Sequence, residues 1–120
     1  MKKLFLLIIV LPLIMSSCEK NTGIVIFKKK ITYKVSGTTS EILVTYTDER
    51  GDTKMTGLST ESIPWQKEFS VRPDTYLYLQ AKNTTSTGDV KVEIFLRDNV
   101  LFSDYNDLPF GTATTSGFVN

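Results

Sequence analysis

Residues 76–96 read YLYLQAKNTTSTGDVKVEIFL and carry the clearest structural signal in this chain. Apolar and polar positions alternate at the start of the segment, and they alternate again after the polar loop NTTSTGD. A period of two residues is typical of a β-strand that buries one face. The pattern therefore predicts strands at residues 76–82 and 90–96, and it places Val92 and Ile94 in the structural core.

The same alternation extends from this segment in both directions along the chain. Residues 24–27 and 31–36 are predicted to form one long strand or two short ones, and further strands are predicted at residues 41–47, 66–71, 100–102 and 112–119, with a return strand that begins at residues 53–55. Turn residues separate them: Gly51 can take a positive φ, and Pro73 presets a φ that suits a turn. No helical pattern follows residue 23. About seven short strands predict one all-β domain over residues 24–120, an immunoglobulin-like antiparallel β-sandwich.

The N-terminus has the three-part layout of a secretory signal. Two lysines precede an unbroken apolar run at residues 4–15, and two serines follow it. The apolar run is shorter than the roughly 20 residues that a transmembrane helix needs, and Pro12 would interrupt a helix there. Residues 1–17 are therefore predicted to be an export signal rather than a permanent membrane span.

The residues that end this signal, Ser16-Ser17-Cys18, resemble a bacterial lipobox, although Met15 stands where Leu or Val is more usual. At a lipobox the cysteine thiol receives diacylglycerol, and signal peptidase II cleaves just before it. The resemblance implies a lipoprotein signal peptide at residues 1–17, a lipid on Cys18, and a polar tether at residues 18–23. The alternative is an ordinary signal peptide with a free Cys18 thiol.

A lone cysteine in an exported chain has no disulfide partner, which favours lipidation of Cys18. The expected location is the cell envelope, where the lipid would hold the protein to a membrane on the periplasmic side or at the cell surface.

The charge balance gives little indication of an anionic partner. Two of the 14 Lys and Arg residues lie in the signal, and all 13 acidic residues follow it, so the exported part is close to neutral. This balance does not indicate a nucleic-acid partner. The three lysines at residues 28–30 have two interpretations: a solvated strand edge that discourages aggregation, or a contact with anionic lipid head groups near the anchor.

The residue types needed for most catalytic and metal sites are scarce. The sequence contains no histidine, the commonest general base and zinc ligand, and no Gly-x-Ser-x-Gly motif. Acidic residues gather at residues 48–52 and 98–107, but their spacing matches no calcium loop such as the EF-hand. We therefore expect no enzymatic activity, no metal and no cofactor.

Four aromatic residues form the candidate binding patch. Tyr76, Tyr78, Phe95 and Phe102 fall on parities opposite to the core residues beside them, and if exposed together they would suit protein, lipid or glycan contact. Trp65, the only tryptophan, is predicted to be a structural core residue whose ring fills the space between the sheets. A ligand-binding Trp65 at the surface is the alternative.

Several short motifs together resemble the MmpS family. They are Tyr33-Lys34-Val35-Ser36-Gly37, Val44-Thr45-Tyr46 with Gly51 in the following hairpin, Pro64-Trp65, Leu79-Gln80-Ala81, and Val92-Glu93-Ile94 ahead of Asp98-Asn99. Members of that family are small envelope proteins with an immunoglobulin-like β-sandwich, known as accessory partners of RND-type MmpL exporters of lipids and siderophores. The resemblance covers residues 31–99 and continues more weakly to residue 119.

Two departures from that family bear on its transporter partnership rather than on its fold. Val92 stands near the first position of a cysteine pair that family members typically have, and a lipid anchor replaces their N-terminal transmembrane helix. Two functions therefore stay open. The first is an accessory or adaptor protein of an envelope transport or assembly system, and the second is a cell-surface binding module for a glycan or protein ligand.

Overall fold

Alternating apolar and polar residues produce eight β-strands in the computed structural model, which describes residues 27–120. The strands are β1 (Lys29–Ser36), β2 (Glu41–Thr47), β3 (Thr53–Ser59), β4 (Trp65–Val71), β5 (Tyr76–Asn83), β6 (Val90–Leu96), β7 (Asn99–Asn106) and β8 (Thr112–Phe118). One turn of 3-10 helix, Thr60–Ser62, follows β3. The predicted all-β sandwich is confirmed, with eight strands rather than about seven. The predicted signal peptide, Cys18 and the tether lie outside the described residues.

The strands form two antiparallel sheets of four. The first sheet has the order β4-β1-β6-β7, and the second has the order β3-β2-β5-β8. The hairpins β2–β3 and β6–β7 stay within one sheet, whereas every other connection crosses to the opposite sheet. The two sheets pack face to face, so each sheet presents one face to the core and one to solvent.

The lysine run at residues 28–30 does not lie at a sheet edge. β1 is a central strand that pairs with β4 on one side and β6 on the other, so the strand-edge interpretation is wrong. Lys30 lies on the outer face, where its amine is 3.7 Å from a carboxylate oxygen of Glu68. Lys28 precedes the strand.

The core fills the space between the inner faces. Its buried members are Ile31, Tyr33, Val35, Ile42, Val44, Leu58, Val71, Leu77, Leu79, Ala81, Val90, Val92, Ile94, Ala113 and Val119. Val92 and Ile94, the two core positions predicted from the β6 pattern, have no exposed surface. All of these residues lie in the strands or directly after them, so the sandwich contains its own hydrophobic core.

Trp65 packs against the core from an edge strand. It begins β4 directly after Pro64, and its ring packs against the core, with its centroid 5.2 Å from that of Tyr46 on the opposite sheet. The side chain is only partly buried. The ring therefore lies between the two sheets at the margin of the core, because β4 is an edge strand of the first sheet.

The two ends of the sandwich hold different connections between the strands. At one end, the tether end, β1 begins. This end also holds the β2–β3 hairpin at residues 48–52, the β4–β5 turn at residues 72–75 and the β6–β7 turn at residues 97–98. The opposite end, the tip end, holds the connections at residues 37–40, 60–64, 84–89 and 107–111.

Side chains of β7 join the two sheets along one side of the sandwich. The backbone N–H of Thr114 on β8 donates to a carboxylate oxygen of Asp104 at 2.9 Å. Nearby, the amide of Asn106 donates to the carbonyl of Thr112 at 3.0 Å. These bonds satisfy backbone groups of an edge strand that would otherwise be open to other chains.

Candidate functional site

The four residues of the predicted aromatic patch do not share one surface. Tyr76 and Tyr78 lie on the outer face of the second sheet, because Leu77 and the other alternate positions of β5 point into the core. Phe95 lies on the outer face of the first sheet, in register with Thr32. Phe102 packs against the core. The predicted single patch is therefore wrong.

Phe102 changes face because of a β-bulge. The β6–β7 register pairs Ile94 with Phe102 but Phe95 with Val100, which leaves Leu101 as an extra residue on β7. An extra residue shifts the parity of everything after it, so Phe102 points inward beside Ile94. Its ring lies over Gly117, where an added Cβ would come within 2.3 Å of the ring.

A buried amide holds the tip end together. Asn83 has no exposed surface, and its Oδ1 accepts hydrogen bonds from the Thr39 hydroxyl at 2.7 Å and from the Thr85 N–H at 2.8 Å. Its Nδ2 donates to the carbonyl of Thr87 at 2.9 Å. Both ends of the amide are therefore satisfied, as a buried polar group requires. The network ties the β1–β2 connection to the β5–β6 loop.

A second group of hydrogen bonds converges on Asp89 at the same end. The Thr38 N–H donates to Oδ1 at 2.9 Å, and the Tyr105 hydroxyl donates to Oδ2 at 2.7 Å. These donors stabilise the ionised carboxylate, so the Tyr105 hydroxyl foremost, and then the Thr38 N–H, lower the pKa of Asp89 below its ordinary value. The same bond raises the pKa of the Tyr105 phenol.

The connection between β7 and β8, residues 107–111, is called here the tip loop. The side-chain oxygen of Asn106 accepts the Leu108 N–H at 2.8 Å, and the Gly111 N–H donates to the Leu108 carbonyl at 2.9 Å. The Phe110 N–H donates to the carbonyl of Thr85 at 2.9 Å. The loop backbone is thus held at several points, including one on the loop that Asn83 organises.

The tip loop exposes its apolar side chains although its backbone is fixed. Leu108 is 62% exposed and Phe110 is 57% exposed. Phe110 also has φ of 54°, a left-handed conformation that costs a residue with a Cβ about 1–2 kcal/mol. Exposed apolar side chains and local strain in an otherwise well-bonded loop are features that recur at recognition surfaces. The tip loop is the candidate binding site.

A shallow groove lies on the outer face of the first sheet. Its volume is about 240 Å³, and its lining residues are Lys30, Thr32, Lys34, Gln66, Glu68, Phe95, Arg97 and Asp98. One aromatic ring thus lies among charged and amide side chains. Such a lining can bind a polar ligand through ring contact and hydrogen bonds.

No protein-family model matches this chain, and no curated protein matches it at a significant level.

The part of the chain that the structure describes contains no helix long and apolar enough to cross a membrane. Across residues 27–120 there is also no group of three or more acidic or cysteine side chains arranged to hold a metal ion. Two of the acidic residues at positions 48–52 and 98–107 accept hydrogen bonds that stabilise local structure. Asp48 accepts N–H groups of its own hairpin, and Asp104 joins the sheets.

The tip loop was not among the sites predicted from the sequence. Its composition, Asp-Leu-Pro-Phe-Gly, has a signal that could have found it: two large apolar residues flank a proline between two predicted strands. Loop positions usually carry polar side chains, so Leu108 and Phe110 at such positions are the anomaly. Whether they point inward or outward depends on the loop bonds, which the sequence does not show.

Proposed function

We propose that this chain is a lipid-anchored, non-catalytic adaptor protein of the bacterial cell envelope, and that it binds a protein of a transport or assembly system through the tip loop. The observation that carries the proposal is the fixed, strained loop that exposes Leu108 and Phe110. Aromatic anchors held in their binding conformation lose little entropy on association, and a few such residues supply most of the affinity of a protein interface.

The position of the tip loop fits an anchored protein. The lipobox-like Ser16-Ser17-Cys18 would place the lipid ten residues before Lys28, and the chain then reaches β1 at the tether end. The tip loop lies at the opposite end. A membrane anchor on Cys18 would thus leave Leu108 and Phe110 directed away from the bilayer, where a partner can reach them.

The hydroxyl and carboxylate groups at the tip end support a non-catalytic role. A general base works best with a pKa near the working pH, but the pKa of Asp89 is lowered. Its oxygens are already occupied by Tyr105 and Thr38. These hydrogen bonds hold the loops of the tip end in place. The resemblance to the MmpS family adds support for an accessory role beside an envelope transporter.

The adaptor function can be tested by photo-crosslinking in cells. A photo-reactive phenylalanine analogue at position 110 is expected to capture one envelope protein, and Leu108→Ala is expected to reduce that crosslink at least tenfold while the protein level stays unchanged. The matched control is the same analogue at position 55, because Met55 is similarly exposed, at 63%, but lies on the edge strand of the second sheet.

Two outcomes would contradict the adaptor function. Crosslinks of equal yield from positions 55 and 110 would show contact without a specific site. A crosslink at position 110 that survives Leu108→Ala would show that the tip loop does not provide the affinity.

The lipid anchor has its own test. Cys18→Ala is expected to abolish incorporation of labelled diacylglycerol and to leave the signal uncleaved at that site. Ser17→Ala, which keeps a small residue before the cysteine, is the control and should be labelled normally. Equal fatty-acid incorporation in the parent and in Cys18→Ala would refute lipidation.

The groove on the first sheet favours the second candidate function, a cell-surface binding module for a glycan or protein ligand. Phe95 beside Gln66 and Lys34 is the specific observation, because a sugar ring can stack on an aromatic side chain while its hydroxyls bond to amides and amines. Glycan binding that Phe95→Ala removes and Leu108→Ala leaves intact would favour this function over the adaptor function.

A further inference from the structure

A cationic concavity lies at the tether end. Its volume is about 430 Å³, and its lining residues are Lys28, Glu49, Arg50, Ser70 and Arg72. Three cations, one hydroxyl and one carboxylate thus line a space large enough for a phosphate group. An arginine guanidinium group can donate two parallel hydrogen bonds to the oxygens of one phosphate, and a serine hydroxyl adds a neutral donor.

The three cations come from separate parts of the chain. Lys28 directly precedes β1, Arg50 lies in the β2–β3 hairpin, and Arg72 follows β4. The register that pairs Lys29 with Val71 brings the first and last of these together. Only the folded sandwich places them around one space.

Local hydrogen bonds fix the two arginine-bearing turns. A carboxylate oxygen of Asp48 accepts the backbone N–H groups of Arg50 and Asp52, both at 2.9 Å. In the β4–β5 turn the Thr75 hydroxyl donates to the Arg72 carbonyl at 2.6 Å. The backbone under both guanidinium groups is therefore held in place.

The positive charges that line the concavity outnumber the negative ones. Within residues 27–120 the ion pairs join Lys30 to Glu68, Lys54 to Asp48 and Lys91 to Glu93, and none includes Lys28, Arg50 or Arg72. Glu49 is the one carboxylate in the lining. Three cations against one carboxylate leave an excess of positive charge, which attracts an anion such as a phosphodiester.

Exposed aromatic side chains lie at the same end. Phe27 is 76% exposed, and the rings of Tyr76 and Phe118 contact each other at a centroid distance of 5.2 Å on the outer face of the second sheet. Aromatic side chains beside cations are typical of surfaces that rest at the interfacial region of a bilayer.

We infer that the tether end docks on an anionic membrane surface, with Lys28, Arg50 and Arg72 around a phospholipid head-group phosphate. The inference rests on the proposed lipid anchor, which would bring this end within a short tether of the bilayer. Docking turns a loosely tethered domain into an oriented one, and it holds the tip loop at a fixed height above the membrane.

The test uses the mature lipoprotein reconstituted in vesicles, with a fluorophore on a cysteine introduced at Thr53, beside the cationic hairpin. A quencher is placed at the lipid head groups. Vesicles of phosphatidylcholine with phosphatidylglycerol are expected to quench the label, and vesicles of phosphatidylcholine alone are expected to quench it much less. Raising the salt concentration should release the quenching, because screening weakens surface electrostatics. A label at Ser86, in a tip-end loop, should be unquenched in both.

Charge variants identify the surface. Replacing Lys28, Arg50 and Arg72 by Gln is expected to lower the ratio of docked to undocked protein on anionic vesicles by roughly 100-fold, since each cation near such a surface contributes roughly fivefold. The matched control replaces Lys34, Lys82 and Lys91 by Gln, which removes the same three positive charges from the outer faces of the sheets instead of from the tether end. This control is expected to change docking less than fivefold.

Three results would overturn the inference: no dependence on phosphatidylglycerol, equal loss of docking in the two triple variants, or quenching at Ser86 in place of Thr53. Failure of the lipid anchor would look different, since the protein would then not float with vesicles of either composition.

Discussion

Asn83 and the residues around it show how a single buried amide can organise one end of the domain. Asn83→Ala is expected to lower the free energy of unfolding by about 3 kcal/mol, because the Thr39 hydroxyl and the Thr85 N–H would lose their acceptor inside the protein. Urea titration of the parent and the variant measures the loss. Asn99→Ala, at an exposed position in β7, is the control and should stay within about 0.5 kcal/mol of the parent.

Trp65 makes a smaller contribution than a central core residue of its size would. Its ring is partly exposed and packs on Tyr46, so Trp65→Ala is expected to cost about 2 kcal/mol, less than a fully buried tryptophan. Chemical unfolding measures the cost, and the native fluorescence maximum should lie between the buried and solvent limits. An unchanged unfolding midpoint with a solvent-like emission maximum would instead make Trp65 a surface binding residue.

At the scale of elements, the tip loop separates binding from stability. Phe110→Gly is expected to leave the unfolding midpoint unchanged or to raise the stability by up to about 1 kcal/mol, because glycine accepts φ of 54° without strain. The same variant is expected to lose the partner, because the exposed ring is gone. Thermal unfolding measures the effect on stability. Co-purification with the partner that crosslinking at position 110 identifies measures the effect on binding.

Arg97→Gly is the matched control for that variant. Arg97 also has a positive φ, 57°, but it lies in the β6–β7 turn at the tether end. This substitution should relieve strain in the same way and leave partner binding intact. A loss of binding in both variants would contradict a specific role for Phe110.

The stability of the whole molecule should depend on pH at both extremes. Burial raises the pKa of Asp48, but the N–H groups of Arg50 and Asp52 and the charge of Lys54 outweigh it, so the net pKa is lowered. The pKa of Asp89 is lowered as well, through Tyr105 and Thr38. A carboxylate with a lowered folded-state pKa stabilises the fold above its ordinary value of 3.8, and that contribution is lost as the pH falls through the folded-state pKa.

The tyrosines act in the opposite direction at high pH. The pKa of Tyr105 is raised foremost by its bond to Asp89, and burial raises that of Tyr33. Their contribution is complete below the ordinary value of 10.0 and is lost as the pH rises through the folded-state values. Unfolding titrations across the pH range should therefore show falling stability on both sides. Asp89→Asn should flatten the acid side, whereas Asp107→Asn, an exposed control, should not.

The positions and inward faces of β1, β2, β5 and β6 follow from the sequence alone, whereas β3 and β7 extend beyond the predicted residues 53–55 and 100–102. Alternation with a period of two is a local property, so residues 76–82 and 90–96 reveal their buried side without knowledge of any partner strand. The lipobox-like motif at Cys18 is likewise read in linear order. The same local reasoning placed Val92 and Ile94 in the core, where they have no exposed surface.

Tertiary structure alone decided the features that depend on partners distant in the chain. The bulge at Leu101 exists only in the register of β7 against β6, and it turns Phe102 away from the expected patch so that the ring packs against the core. The strand order made β1 central and assembled Lys28, Arg50 and Arg72 around one space. Such placements arise from hydrogen bonds and packing between segments that are far apart in sequence, and a periodic pattern contains no information about them.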